Sequence, residues 1–142
     1  MAIRTAEAFW EGSLKDGKGK MSVGSGAFEG AYSHSSRFED GKGTNPEELI
    51  GAAHAGCFSM ALSSELGKIG LTPQLIHTRA EVTLEKIGDM NRITLIHLET
   101  EARVPGITHE QFHDIAEATR TSCPVSVALA SVPIILDAKL II

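Results

Sequence analysis

Residues 45–70, NPEELIGAAHAGCFSMALSSELGKIG, carry apolar side chains on almost every side of a helical turn. Leu49, Ile50, Ala52, Ala53, Ala55, Phe58, Met60, Ala61 and Leu62 leave no continuous polar face. The flanks supply a start and a stop. Asn45 can cap, Pro46 suits the first helical position, and Glu48 falls where a capping-box carboxylate reaches back to the cap N–H. Gly67 and Gly70, with Lys68 between them and Pro73 beyond, end the helix. A helix apolar all round is expected to be buried, and His54, Ser59, Ser63 and Ser64 interrupt it too often for a membrane span.

Before this helix the pattern is that of short strands broken by glycine. Gly12, Gly17, Gly19, Gly24, Gly26, Gly30, Gly41 and Gly43 all precede Asn45. They divide pieces around 2–11, 19–23 and 26–32 into a small meander. The polar stretch 33–44 reads as a loop that carries Arg37 to the helix cap. After the helix, 74–86 and 92–104 alternate Ile, Val, Thr and Leu with charge, and Gly88-Asp89 between them predicts an antiparallel hairpin. Thr108, with Gln111 three residues on, opens a second helix bearing Phe112, Ile115, Ala116 and Thr119 at helical spacing. Cys123-Pro124 breaks that helix, 125–130 can add a turn or two, and 133–142 forms a last strand. The class is α+β: a β-meander, a long buried central helix, a hairpin, a second helix and a C-terminal strand.

Composition narrows the partners. A chain of 142 residues fits a single domain spanning 1–142, with enough length for a real core. A net charge of −5 without a basic run argues against nucleic acid. No charged-then-apolar leader opens the chain, so the cytoplasm is the expected location. Two cysteines are too few for a disulfide framework and read as redox, catalytic or inert core thiols.

Three arrangements could carry chemistry. His109-Glu110-Gln111-Phe112-His113 matches a zinc-hydrolase pattern, with two histidines on one face and Glu110 as base. It sits in the first turn of its helix, where Glu and Gln serve the dipole and the cap, and a third ligand is hard to find downstream. A solvated helix start is the competing reading. His54, three residues before Cys57, could form a Cys–His dyad or be a core histidine bonded to a neighbour. The sequence shows no orienting carboxylate or amide. Cys123, just before Pro124, is placed where backbone N–H groups favour a thiolate, whereas Cys57 lies mid-helix and needs a nearby cation.

Thr44 to Ser63, TNPEELIGAAHAGCFSMALS, resembles the signature of the osmotically inducible protein C and organic hydroperoxide resistance family (OsmC/Ohr) of thiol peroxidases. SCPVS at 122–126 lies where that family places its second cysteine. FWEGSLKDGKGKMSV from Phe9 and RFEDGKG from Arg37 are similar to the OsmC branch. The resemblance implies that Cys57 attacks a hydroperoxide and that Cys123 resolves the resulting sulfenic acid as an intramolecular disulfide. It implies that Arg37 lowers the Cys57 pKa and stabilises the peroxide oxygen, and that Glu47 steadies Arg37 through paired N–H···O bonds. Organic hydroperoxides are the implied substrate, with hydrogen peroxide left open, and a small dithiol or lipoylated protein the implied reductant. No metal and no bound cofactor are implied. A non-catalytic binding or stress protein with incidental thiols is the rival from another class.

Helix geometry adds an expectation about assembly. Glu47 and Cys57 are ten positions apart on one helix, so their Cα atoms differ by roughly 15 Å along its axis. Two copies crossing antiparallel near position 52 would bring Glu47 of one chain beside Cys57 of the other. Gly51, Ala52, Ala53, Ala55 and Gly56 are small enough for that approach. The expectation is an intertwined two-fold homodimer with Arg37 and Glu47 serving the partner's Cys57.

Overall fold

A computed structural model describes residues 1–142. Packing divides the chain into two compact units, Met1–Leu49 and Ile50–Ile142. In the first, β1 (Ala6–Glu11), β2 (Lys18–Val23) and β3 (Glu29–Tyr32) form the antiparallel meander, in the order β1-β2-β3. Close pairing of β1, β2 and β3 leaves no room for a side chain at Gly19, where a Cβ would meet the rings of Tyr32 and Trp10.

The stretch 33–44, expected to be a loop, contains a short helix, α1 (His34–Phe38). Its signal is polar. The Ser33 hydroxyl accepts from the Ser36 N–H at 3.1 Å, and the Ser36 hydroxyl accepts from the Ser33 N–H at 2.9 Å. Two serines cap each other with no apolar periodicity to betray the turn. The chain then returns to β3 through Gly43. Its φ of +118° and a would-be Cβ only 2.6 Å from the Ala31 oxygen admit glycine alone. Thr44 N–H donates to that same oxygen at 2.8 Å.

The central helix α2 runs Pro46–Lys68. Asn45 caps it as expected, its Oδ1 accepting from the Glu48 N–H at 2.8 Å. The Glu48 carboxylate does not complete a capping box: it accepts the Thr44 hydroxyl at 2.6 Å instead. Within the single chain, burial is reached on one side only. Gly51, His54, Phe58, Leu62 and Leu66 form one buried stripe, while Ala52, Ala53, Gly56 and Met60 are exposed. One layer of sheet can cover only one side of a helix.

In the second unit, β4 (Leu75–Ile87) and β5 (Met90–Arg103) form the predicted hairpin, and Gly88 takes the positive φ that a two-residue turn needs. After α3 (His109–Ser122) and α4 (Pro124–Ala128), β6 (Ile134–Leu140) pairs parallel to β5, giving the order β4-β5-β6. Ile96, Leu98 and Ala102 of β5 pack into one core with Phe58, Leu62 and Leu66 of α2 and Phe112 and Ala116 of α3. The α+β class stands.

Candidate active site

Arg37 lies within α1, which is lashed to the start of α2. The Asn45 amide donates to the Ser36 carbonyl at 3.1 Å, and the Ser36 hydroxyl donates to the Thr44 carbonyl at 2.7 Å. That frame presents Arg37 edge-on to Glu47. Nε donates to Oε1 and Nη2 to Oε2, both at 3.0 Å. Glu47 is 7% exposed, so its carboxylate depends on this two-pronged partner. The guanidinium also lies over the Phe38 ring, 5.3 Å from its centroid.

Cys57 occupies the middle of α2, half-buried, and Cys123 is fully buried at the joint between α3 and α4. Pro124 makes that joint, because a proline pushes the preceding residue out of the helical region. Cys123 accordingly has φ −56° and ψ 131°. Its N–H still closes α3 on the Thr119 carbonyl, and its own carbonyl accepts from Val127 in α4. The kink turns the Cys123 thiol toward α2, where its Sγ lies 3.2 Å from the Cys57 Sγ.

The two thiols are driven apart electrostatically. Burial pushes the Cys57 pKa up, with a smaller lowering by the Val125 N–H and further increases from Cys123. Burial also works to raise Cys123, but hydrogen bonds from the Ser126 N–H, the Cys57 thiol, the Ser126 hydroxyl and the Val125 N–H outweigh it. The net direction there is down. Cys123 is therefore the more acidic of the two thiols, as its place before Pro124 led us to expect.

His54 is completely buried, with Nε2 2.7 Å from the Ser126 hydroxyl. It is a core histidine bonded to a side chain, the plainer of the two expectations. Burial lowers its pKa and keeps it neutral.

A family model described as OsmC-like protein matches residues 39–137. Peroxiredoxin OsmC of Escherichia coli (strain K12) is 49% identical over 138 residues, covering 96% of this chain and 96% of that protein.

The chain belongs to the OsmC-like family.

Its fold is found in an OsmC-like protein of Mycoplasma pneumoniae, with TM-score 0.76, 13% identity and 99% of each chain covered. It is found too in the organic hydroperoxide resistance protein OhrB of Bacillus subtilis, with TM-score 0.69, 20% identity, and 96% of this chain and 98% of that one covered. The residues matched to the OsmC-like model include Glu47, Cys57 and Cys123, and begin two positions after Arg37.

The zinc-hydrolase pattern in this OsmC-like chain is a helix start. Thr108 and Gln111 form a reciprocal capping box, and His109, Glu110 and His113 are exposed around it. The metal-ligating side chains that do converge are Glu81, His97 and Glu99, on the outer face of the second sheet. Arg79 already answers that charge, with Nη1 3.0 Å from Glu81 and 3.5 Å from Glu99. No helix is long and apolar enough to cross a membrane.

Proposed function

We propose that Cys57 is the thiol that attacks the peroxide and Cys123 the thiol that resolves it. The chain is a cysteine-based peroxidase that takes a hydroperoxide and a reductant. The observation that supports the roles is the 3.2 Å approach of two sulfurs 66 residues apart in sequence. A Cys57 thiolate displaces the alcohol from an organic hydroperoxide and keeps the distal oxygen as sulfenic acid; the departing alkoxide takes up a proton. The Cys123 thiolate then attacks the Cys57 sulfur, expels hydroxide and forms the disulfide. A dithiol, free or lipoyl-bound, reduces the disulfide by exchange.

A thiol whose pKa burial raises calls for a cation, and Arg37 is the one we assign. Held by Glu47, it would favour the Cys57 thiolate and the negative oxygen that leaves. We place it on the partner's Cys57 in a two-fold homodimer, because the helix span between Glu47 and Cys57 is too long for one copy. The exposed stripe Ala52, Gly56 and Met60 offers the contact face. Residues 1–142 act as one functional domain in this reading, in the cytoplasm. Organic hydroperoxides are the substrates, with hydrogen peroxide a further candidate.

Peroxide consumption with several dithiols, wild type against Cys57→Ser, tests the assignment. The variant is expected to lose turnover entirely. Unchanged thiol content after one equivalent of hydroperoxide would instead favour a binding protein with incidental thiols.

A further inference from the structure

Two side-chain hydrogen bonds join α2 to the corner where α3 meets α4. One is the sulfur contact of Cys57 with Cys123; the other is Nε2 of His54 on the Ser126 hydroxyl, at 2.7 Å. Their spacing is matched. His54 stands three residues before Cys57 on α2, and Ser126 three residues after Cys123 in the first turn of α4. Positions three apart share a helix face, so the two contacts are antiparallel rungs about one turn apart. The Val127 N–H closes the turn on the Cys123 carbonyl at 3.0 Å, so Ser126 and Cys123 move as one piece.

The polar rung is sealed from water. His54 is fully buried and Ser126 is 3% exposed, while Nδ1 of His54 has no partner. A neutral imidazole carries one N–H and one lone pair, and an N–H stranded in the core is the costlier orphan. The proton therefore belongs on Nε2, which donates it to the Ser126 oxygen. Breaking this bond leaves the ring with no polar contact, so it resists a slide of α4 along α2. Helix α2 is the fixed member of the pair. Ser59, two residues beyond Cys57, lies 2.8 Å from Thr78 Oγ1, which lies 3.0 Å from Thr100 Oγ1, tying the helix to β4 and β5. Helix α4 is only five residues long and follows the Cys123-Pro124 joint.

We infer that His54 and Ser126 are positioning residues for disulfide closure: their hydrogen bond holds α4 in the register that keeps Cys123 against Cys57. The inference rests on the reading of Cys57 and Cys123 as the reacting pair. In the resolving step the Cys123 thiolate attacks the Cys57 sulfur of the sulfenic acid. The S–S bond forms, the S–O bond breaks, and hydroxide leaves to take up a proton as water. The attack needs the two sulfurs in line and in contact, and a misplacement of about 1 Å can cost roughly a hundredfold. With the rung intact, α4 has little to search. Without it, α4 pivots about the Cys123-Pro124 joint and the sulfurs meet less often. Peroxide attack takes place at Cys57 on α2, which the rung does not hold.

The equilibrium of the full chain with dithiothreitol measures the effective concentration of Cys123 at Cys57 and needs no peroxide. Ser126→Ala removes the acceptor with little change in volume. It is expected to lower the effective concentration about tenfold, a rise of about 30 mV in the reduction potential of the pair. His54→Gln, which keeps an N–H near the place of Nε2, should recover most of the wild-type value. Leu66→Ala truncates a fully buried side chain farther along α2. It should lower the urea midpoint and leave the effective concentration unchanged, which separates positioning from stability. In stopped-flow oxidation, Ser126→Ala should form the sulfenic acid at the wild-type rate. That sulfenic acid, trapped with dimedone, should last about tenfold longer. An unchanged or increased effective concentration in Ser126→Ala overturns the inference, as does an equal fall in Leu66→Ala. So does a His54→Gln protein no better than Ser126→Ala, since the shape of the ring rather than its bond would then hold the corner. The equilibrium reads proximity alone, so it decides this inference even if the peroxide roles of the pair fail.

Discussion

Cys57 Sγ and Cys123 Sγ lie 3.2 Å apart, one on α2 and the other at the joint between α3 and α4. A disulfide needs about 2.05 Å, so a small shift of the short α4 segment closes the bond without unfolding either long helix. One equivalent of hydroperoxide is expected to consume both thiols and yield a monomeric chain lighter by two hydrogens on non-reducing mass spectrometry. Cys123→Ser should stop at the sulfenic acid. Interchain disulfides as the main wild-type product would exclude Cys123 as the intramolecular resolver.

The Arg37–Glu47 fork joins a part-exposed cation to a nearly buried anion. Arg37→Met strands the Glu47 carboxylate, at a cost of about 1–3 kcal/mol once the partial exposure of Arg37 is allowed for. Arg37→Lys keeps the charge but not the two parallel bonds, and should fall between. Urea denaturation at neutral pH measures the stabilities. Stopped-flow thiol oxidation should show Arg37→Met slowed by at least tenfold. A variant as stable and as fast as wild type would leave Arg37 an ordinary surface residue.

His54 predicts a pH dependence of stability. Its folded pKa is lowered by burial, so only the unfolded chain takes up the proton as pH falls through about 6.5. Stability is full above that value, declines below it, and levels off once pH passes the folded pKa. The slope from this one group is at most ~1.4 kcal/mol per pH unit. Denaturation midpoints between pH 7.5 and 5 should therefore fall more steeply in wild type than in His54→Gln. Equal slopes would mean that His54 is charged in the folded state.

What was legible in the sequence was whatever local chemistry specifies. Asn45, Pro46 and the small-residue run beyond them announce α2, Thr108 and Gln111 announce α3, and Gly88-Asp89 announces the hairpin. Helix α1 was not legible, because Ser33 and Ser36 cap each other without an apolar stripe. Nor was the parallel pairing of β6 with β5, which depends on where α3 and α4 return the chain. The hydrogen bond between His54 and Ser126 joins residues 72 apart, and nothing local to either points to the other. The Cys57–Cys123 pair was reached through resemblance to the family, since spacing alone does not place a mid-helix thiol beside a helix break. On the exposed side of α2, periodicity reports that a face is apolar, not which chain will cover it.

That exposed side yields a test whose two outcomes have opposite signs. A Cβ added at Gly56 meets nothing within 4 Å in the chain, and Ala52, Ala53 and Met60 beside it are exposed. If the chain worked alone, Gly56→Leu would replace a poor helix former with a good one and stabilise α2 by about 0.5–1 kcal/mol. If two copies of α2 cross there, the same side chain falls where backbones approach closely and drives them apart. The expected result is the second. Gly56→Leu should sediment as a monomer at micromolar concentration, with lower thermal stability than wild type. Its peroxidase rate should fall toward that of Arg37→Met, because separated copies no longer bring Arg37 to the partner's Cys57. A Gly56→Leu protein that is more stable and fully active would refute the shared site. Met60→Glu offers an independent check, since a charge on that stripe is harmless in water but costly within an apolar interface.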